Sequence, residues 1–243
     1  MKKGVVSMFA VFVNMALVLL GSVIGLAMKN RFSERSGQAV MKCIGLCTLG
    51  IGVSGLLGSQ DTLCVIICMV LGTLLGEWID LEKRMNALGE LLRRKLVKDG
   101  GNSRFAEGFV NATVLFCVGA MSINGSIAAG LEGDYSILIS KSVMDGVSAI
   151  TFSAAMGIGV PFSVLSILLY EGGLTLLAGV AGPCLGSAVI TEMSAVGGTI
   201  ILGIGFNLLE AGKEHLRVSN MLPAIFLPIL YVPLAGLITG AVG

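Results

Sequence analysis

Lys141 and Asp145 stand four residues apart in "SKSVMDGVSAITFS", inside an otherwise apolar run. On a helix that spacing puts both on one face, where an ammonium and a carboxylate neutralise each other. Glu192 in "VITEMSAVGG" and Glu171 in "LLYEGGLTLLAG" interrupt apolar runs in the same way. An ionised group held in hydrocarbon is expensive, and is kept for pairing, ion binding or proton exchange. Amides form a second class. Asn14 in "FVNMALVLLGS" and Asn111 in "FVNATVLFCVG" close the same tripeptide, and Asn207 follows in "LGIGFNLL". An amide in lipid bonds across helices or to a solute. The residues of a solute or ion site are therefore expected among Asn14, Asn111, Lys141, Asp145, Glu192, Ser194 and Asn207.

The remaining chemistry-bearing residues point away from catalysis, cofactors and metals. The one histidine, His215, lies in the charged stretch "KEHLR", where water solvates it. No H-E-x-x-H, G-x-S-x-G or phosphate-cradling loop occurs. "GPCLG" imitates a nucleophile elbow with cysteine, but no histidine lies near it in the chain. Cys43/Cys47 and Cys64/Cys68 are one helical turn apart in apolar runs, and no C-x-x-C occurs. They are expected to act as small hydrophobes rather than ligands or redox pairs. With 16 basic and 15 acidic residues the chain offers no nucleic-acid surface.

The elements that must hold these residues follow from composition. Hydrophobic residues make up 55% of the 243, charged residues 13%, and mean hydropathy is +0.93. A soluble domain carries about 25% charge, so this chain cannot cover a water-facing surface. It reads as an all-α, polytopic integral membrane protein with the bilayer as its first partner. Apolar stretches at 5–28, 38–58, 61–80, 106–129, 138–158, 160–181, 187–210 and 218–241 give eight helical spans of a bilayer about 30 Å thick. Basic residues gather after the first, third and seventh spans, and Glu132 and Asp134 occupy another loop. The bias of Lys and Arg toward the cytoplasm then places both termini outside. Between the third and fourth spans, 79–98 carries Leu81, Met85, Leu88, Leu92 and Leu96 on one face with charge around the rest. That pattern is an amphipathic helix on the cytoplasmic surface, resting on lipid or docking a partner.

Two echoes predict an internal repeat. "FVN" recurs as above, and "LGIGVSG" returns as "MGIGVPF" and "LGIGFNL". Inverted three-helix repeats would divide the single membrane domain into 1–80, a surface helix and linker at 81–104, a second repeat at 105–182, and C-terminal helices at 183–243. Repeats of that kind place a transport site at the membrane midplane, with Asn14 and Asn111 as symmetry mates. Gly50, Gly52, Gly157, Gly159, Gly203 and Gly205 would break the helices around it, Pro161 strengthening the second break. Glycines four apart, as at Gly21/Gly25 and Gly72/Gly76, instead predict close helix contacts and suit a homo-oligomer.

The strings "EGFVNATVLFCVGAMSINGSI", "GDYSILISKSVMDGVSAITFSAAMGIGV" and "EMSAVGGTIILGIGFNLL" resemble the bacterial membrane proteins grouped as domain of unknown function 554, the YdfK/YqgA-like family. The resemblance runs from about Phe12 to the last span. It implies a multi-pass protein of the bacterial cytoplasmic (inner) membrane, often described as a transporter, without naming a substrate. The tail before Phe12 is longer than the family leads one to expect, and at Glu171 the family leads one to expect glutamine. Taken with the residues, the expected function is a secondary transporter of a small solute, ion- or proton-coupled. The alternatives are an ion or solute channel and a non-transporting scaffold.

Overall fold

A computed structural model describes residues 8–29, 34–96, 105–117, 120–181, 185–210 and 215–242. Arg31, Lys98, Arg104 and Lys213, among the basic residues that gather after those spans, lie outside them, as do the side chains of Leu88, Leu92 and Leu96. Among the described residues the fold is all-α with no strand, as composition requires. The helices are α1 (Phe9–Lys29), α2 (Glu34–Leu56), α3 (Thr62–Ile79), α4 (Leu81–Leu96), α5 (Phe105–Cys117), α6 (Ala120–Leu131), α7 (Ser136–Met156), α8 (Val164–Leu176), α9 (Ser187–Leu209) and α10 (Pro228–Val242). Short 3-10 turns at Val160–Ser163 and Leu222–Phe226 lead into α8 and α10.

Among the described residues four helices are long and apolar enough to cross a membrane alone: Phe9–Met28, Thr62–Ile79, Ser136–Met156 and Ser187–Leu209. Two further segments are bent pairs, α5 with α6 at 60° and Val218–Phe226 with Pro228–Leu237 at 42°. Lys42–Leu56 and Val160–Leu176 are apolar but shorter. Each of the eight apolar stretches is thus largely helical over its described residues, while the candidates for a full crossing among them number four, or six if each bent pair is one span. Large apolar side chains such as Leu20, Ile66, Leu74 and Trp78 stay exposed on the outside, as a lipid-facing surface demands.

Glycine decides which helices touch. α1 lies along α7, where a Cβ on Gly21 or Gly25 would overlap the carbonyl oxygens of Gly146 and Ile150. Without a strong hydrophobic force between helices in lipid, such backbone-to-backbone approach is what holds them. α2 lies along α9 in the same manner, with Gly52 and Gly55 against Gly198. Gly72 and Gly76 of α3 receive Ala224 and Asn220.

The expected helix breaks fall at one place only. Gly50 and Gly52 lie inside the continuous α2, and Gly203 and Gly205 inside the continuous α9. A glycine costs a helix interior only about 1 kcal/mol, too little to break these long packed helices, and Gly52 and Gly205 serve close crossings instead. Gly157, at φ +87°, does end α7, and Gly159 abuts the Phe105 carbonyl in the turn that follows. The inverted repeat also fails to appear in the packing. A two-fold exchanging the first three spans with the next three, which pairs α1 with α7, must pair α2 with the α5–α6 span. α2 instead packs on α9.

Candidate functional site

Charge and amide converge where α1, α6, α7 and α8 meet. Lys141 and Asp145 share one face of α7 and form the ion pair their spacing predicts. The Lys141 ammonium also reaches Glu171 Oε1 of α8 at 3.0 Å. Asn14 of α1 closes the other side, its Nδ2 donating to Asp145 Oδ2 at 3.1 Å and to Glu171 Oε2 at 3.0 Å. From the first turn of α6, Ser122 Oγ stands 3.1 Å from Glu171 Oε1 and 3.1 Å from the Phe116 carbonyl. That carbonyl belongs to the last turn of α5, which lacks intrahelical partners, so the bend between α5 and α6 delivers its polar ends to the cluster. The positive end of the α6 dipole favours a carboxylate there.

The cluster is buried and unbalanced. Asn14, Ser122 and Glu171 are 0% exposed, Lys141 6% and Asp145 7%. One ammonium faces two carboxylates, and the other titratable neighbours among the described residues are the buried thiol of Cys117 and the phenol of Tyr170. Asn14 Oδ1 has no hydrogen-bond partner among the described residues; neither do the buried hydroxyls of Ser126 and Thr175, one helical turn beyond Ser122 and Glu171. Buried acceptors without partners are rare in native structures. Carboxylate, amide and hydroxyl oxygens together suit a hard cation or a proton.

The other expected site residues lie elsewhere. Glu192 stands at the loop before α3, accepting from Ser59 Oγ at 2.7 Å and from the backbone N–H groups of Gln60 at 2.7 Å and Asp61 at 3.1 Å. Asp61 in turn caps α3 through Leu63 and Cys64. Glu192 is thus a satisfied anchor with no contact to Asp145. Ser194 bonds back to the Ile190 carbonyl within its own helix at 2.8 Å. Asn207 clamps the chain ahead of the last span, bonding both the N–H and the carbonyl of Leu216 at 2.8 Å. Asn111 does not approach Asn14; its amide points at Met156 Sδ, 3.9 Å away.

A family model described as "Protein of unknown function (DUF554)" matches residues 9–233. The chain belongs to this family. Among curated relatives it is 30% identical over 225 residues to the "Uncharacterized membrane protein YdfK" of Bacillus subtilis (strain 168), covering 91% of this chain and 94% of that protein. It is 33% identical over 219 residues to the "Uncharacterized protein YqgA" of Escherichia coli (strain K12), covering 89% and 92%. No solved structure matches.

The DUF554 match spans every member of the cluster, from Asn14 to Glu171. Of these, Asn14, Lys141 and Asp145 are the residues expected from sequence. Glu171 was legible as a costly acid but without a partner. Ser122 carried no signal in "AMSINGSI" beyond a hydroxyl repeated one turn later at Ser126, because only the bend before α6 turns it inward.

Proposed function

We propose that this DUF554 protein is a secondary transporter of a small solute in the bacterial cytoplasmic membrane, driven by uptake of one positive charge at the Asn14–Ser122–Lys141–Asp145–Glu171 cluster. The observation that carries the reading is the buried imbalance of two carboxylates against one ammonium. A bare charge at that depth is costly, and a proton or monovalent cation bound there removes it. A transporter site beside a bent helix, where backbone ends meet, follows the same physics as other discontinuous spans.

Eight crossings with the basic loops inside complete the picture, and helix directions support it. Along α1 and α7, Leu17 meets Gly146 and Gly25 meets Ile150, so the first and fifth spans run parallel. Along α2 and α9, Gly55 meets Gly198 while Gly45 meets Leu209, so the second and seventh run antiparallel. Gly72 against Ala224 and Gly76 against Asn220 make the third and eighth antiparallel. Each pairing has the direction that strict alternation of eight spans requires.

The test is the melting temperature of the purified protein in lithium, sodium and potassium buffers and across pH. A coupling ion at 100 times its Kd adds about 2.7 kcal/mol, and Glu171→Gln, which leaves one acid for one base, should abolish that response. Identical melting in every buffer, or an undiminished response in Glu171→Gln, would overturn the reading.

A further inference from the structure

A cavity of about 250 Å³ opens where α4, α5, α9 and the chain before Val218 come together. Glu82, Asn86, Glu107, Asn111, Asn207 and His215 line it. This end of the molecule carries the basic loops, yet among the described lining residues there is no Lys or Arg. Two carboxylates, three amides and one imidazole give the interior several acceptors, with Arg217 near enough to act on Glu82.

Two observations show that these groups are not simply solvating themselves. Asn111 is 6% exposed and faces the cavity, yet its described hydrogen bond is a 3.9 Å contact to a thioether, which is a weak acceptor. That weak contact is the one described hydrogen bond of a nearly buried amide. Glu82 is held at the wall because its backbone N–H donates to Asn220 Oδ1 at 2.6 Å. Burial pushes its carboxyl up from the ordinary range, Arg217 pulling in the opposite direction. Glu107 lies in the first turn of α5, where the positive end of the helix dipole attracts a carboxylate.

Size and ligand geometry narrow the class. Among the described residues no three His, Cys, Asp or Glu side chains are placed to hold a metal ion. The volume falls just below the roughly 300–1,000 Å³ of common ligand pockets and is far larger than one bare ion needs. We propose that this cavity binds a small organic cation, a primary amine or short diamine whose ammonium groups are taken by Glu107 and Glu82 and whose remaining N–H groups reach Asn111. Asn111 lies six positions before Cys117 on α5, and Cys117 is beside the charged cluster, a rise of about 9 Å. Binding stands by itself; that the bound cation is the transported solute rests on the reading above.

The experiment is isothermal titration of the full-length protein with four probes: methylamine, butane-1,4-diamine, pentane-1,5-diamine and the uncharged butane-1,4-diol. At least one amine should bind, with the diol tenfold weaker or more. Glu107→Gln and Asn111→Ala should each weaken that amine at least tenfold while melting as the parent does. Glu82→Gln serves as the second acidic variant if Glu107→Gln fails to fold. Asp145→Asn should bind the amine unchanged, so loss of the ion response there without loss of amine binding separates the two sites. Failure of every amine, or equal binding of diamine and diol, or full affinity in both acidic variants, overturns the proposal.

Discussion

At the scale of single residues, charges that look alike in sequence answer to different surroundings. Lys141 is the only described cation touching Asp145 and Glu171. Lys141→Met would strand two buried carboxylates, and breaking a buried pair on one side costs about 3–5 kcal/mol. Thermal or chemical unfolding in detergent should show that loss, and adding Glu171→Gln should recover part of it. Glu192 accepts three hydrogen bonds that fasten the loop ahead of α3. Glu192→Gln should lower stability by about 1.5–3 kcal/mol, the usual range for hydrogen bonds to a charged group. Its response to cations and pH should nonetheless match the parent's, since Glu192 has no link to the cluster. A cation response lost in Glu192→Gln would show that the two regions are one site.

At the scale of elements, close backbone approach and one special dihedral do the positioning. The site exists because α1 can sit against α7 closely enough for Asn14 to bridge Asp145 and Glu171. Gly21→Leu would force the two backbones apart. It should abolish the cation response together with a large loss of melting temperature, whereas Gly50→Leu, which meets no atom within 4 Å, should leave both intact. Gly157 holds φ +87° with ψ −152° at the end of α7, a region nearly closed to other residues. Gly157→Ala should cost about 1–3 kcal/mol, read from denaturant unfolding.

At the scale of the whole molecule, the packing directions make a topological prediction. Gln60 and Glu132 should lie on one side of the membrane, and Arg84 and Arg217 on the other. Single cysteines at these positions, in a chain whose native cysteines are replaced, can be labelled from one side of sealed vesicles. The exposed pair Arg217 and Glu77, 3.2 Å apart, ties the basic end together but contributes little at such exposure. Labelling of Gln60 and Arg217 from the same side would refute eight alternating crossings.

Composition alone established an all-α membrane protein, because too few polar residues exist to face water and only helices satisfy their own backbone in lipid. Hydropathy marked each apolar stretch, and the i,i+4 rule placed Lys141 beside Asp145. The small residues four apart on α1 and α3 announced close contacts, though not their partners. The amides and acids could not be sorted in the same way. A tripeptide shared by Asn14 and Asn111 says nothing about which helices meet, and the glycine crossings sent one to the charged cluster and the other to the basic-end cavity. Glu192 and Asp145 have similar sequence surroundings, yet one anchors a helix start and the other shares a lysine with Glu171. Those assignments depend on which backbones approach across 49 to 157 residues of chain, and that is decided by tertiary packing, where a glycine's missing side chain matters as much as a charge.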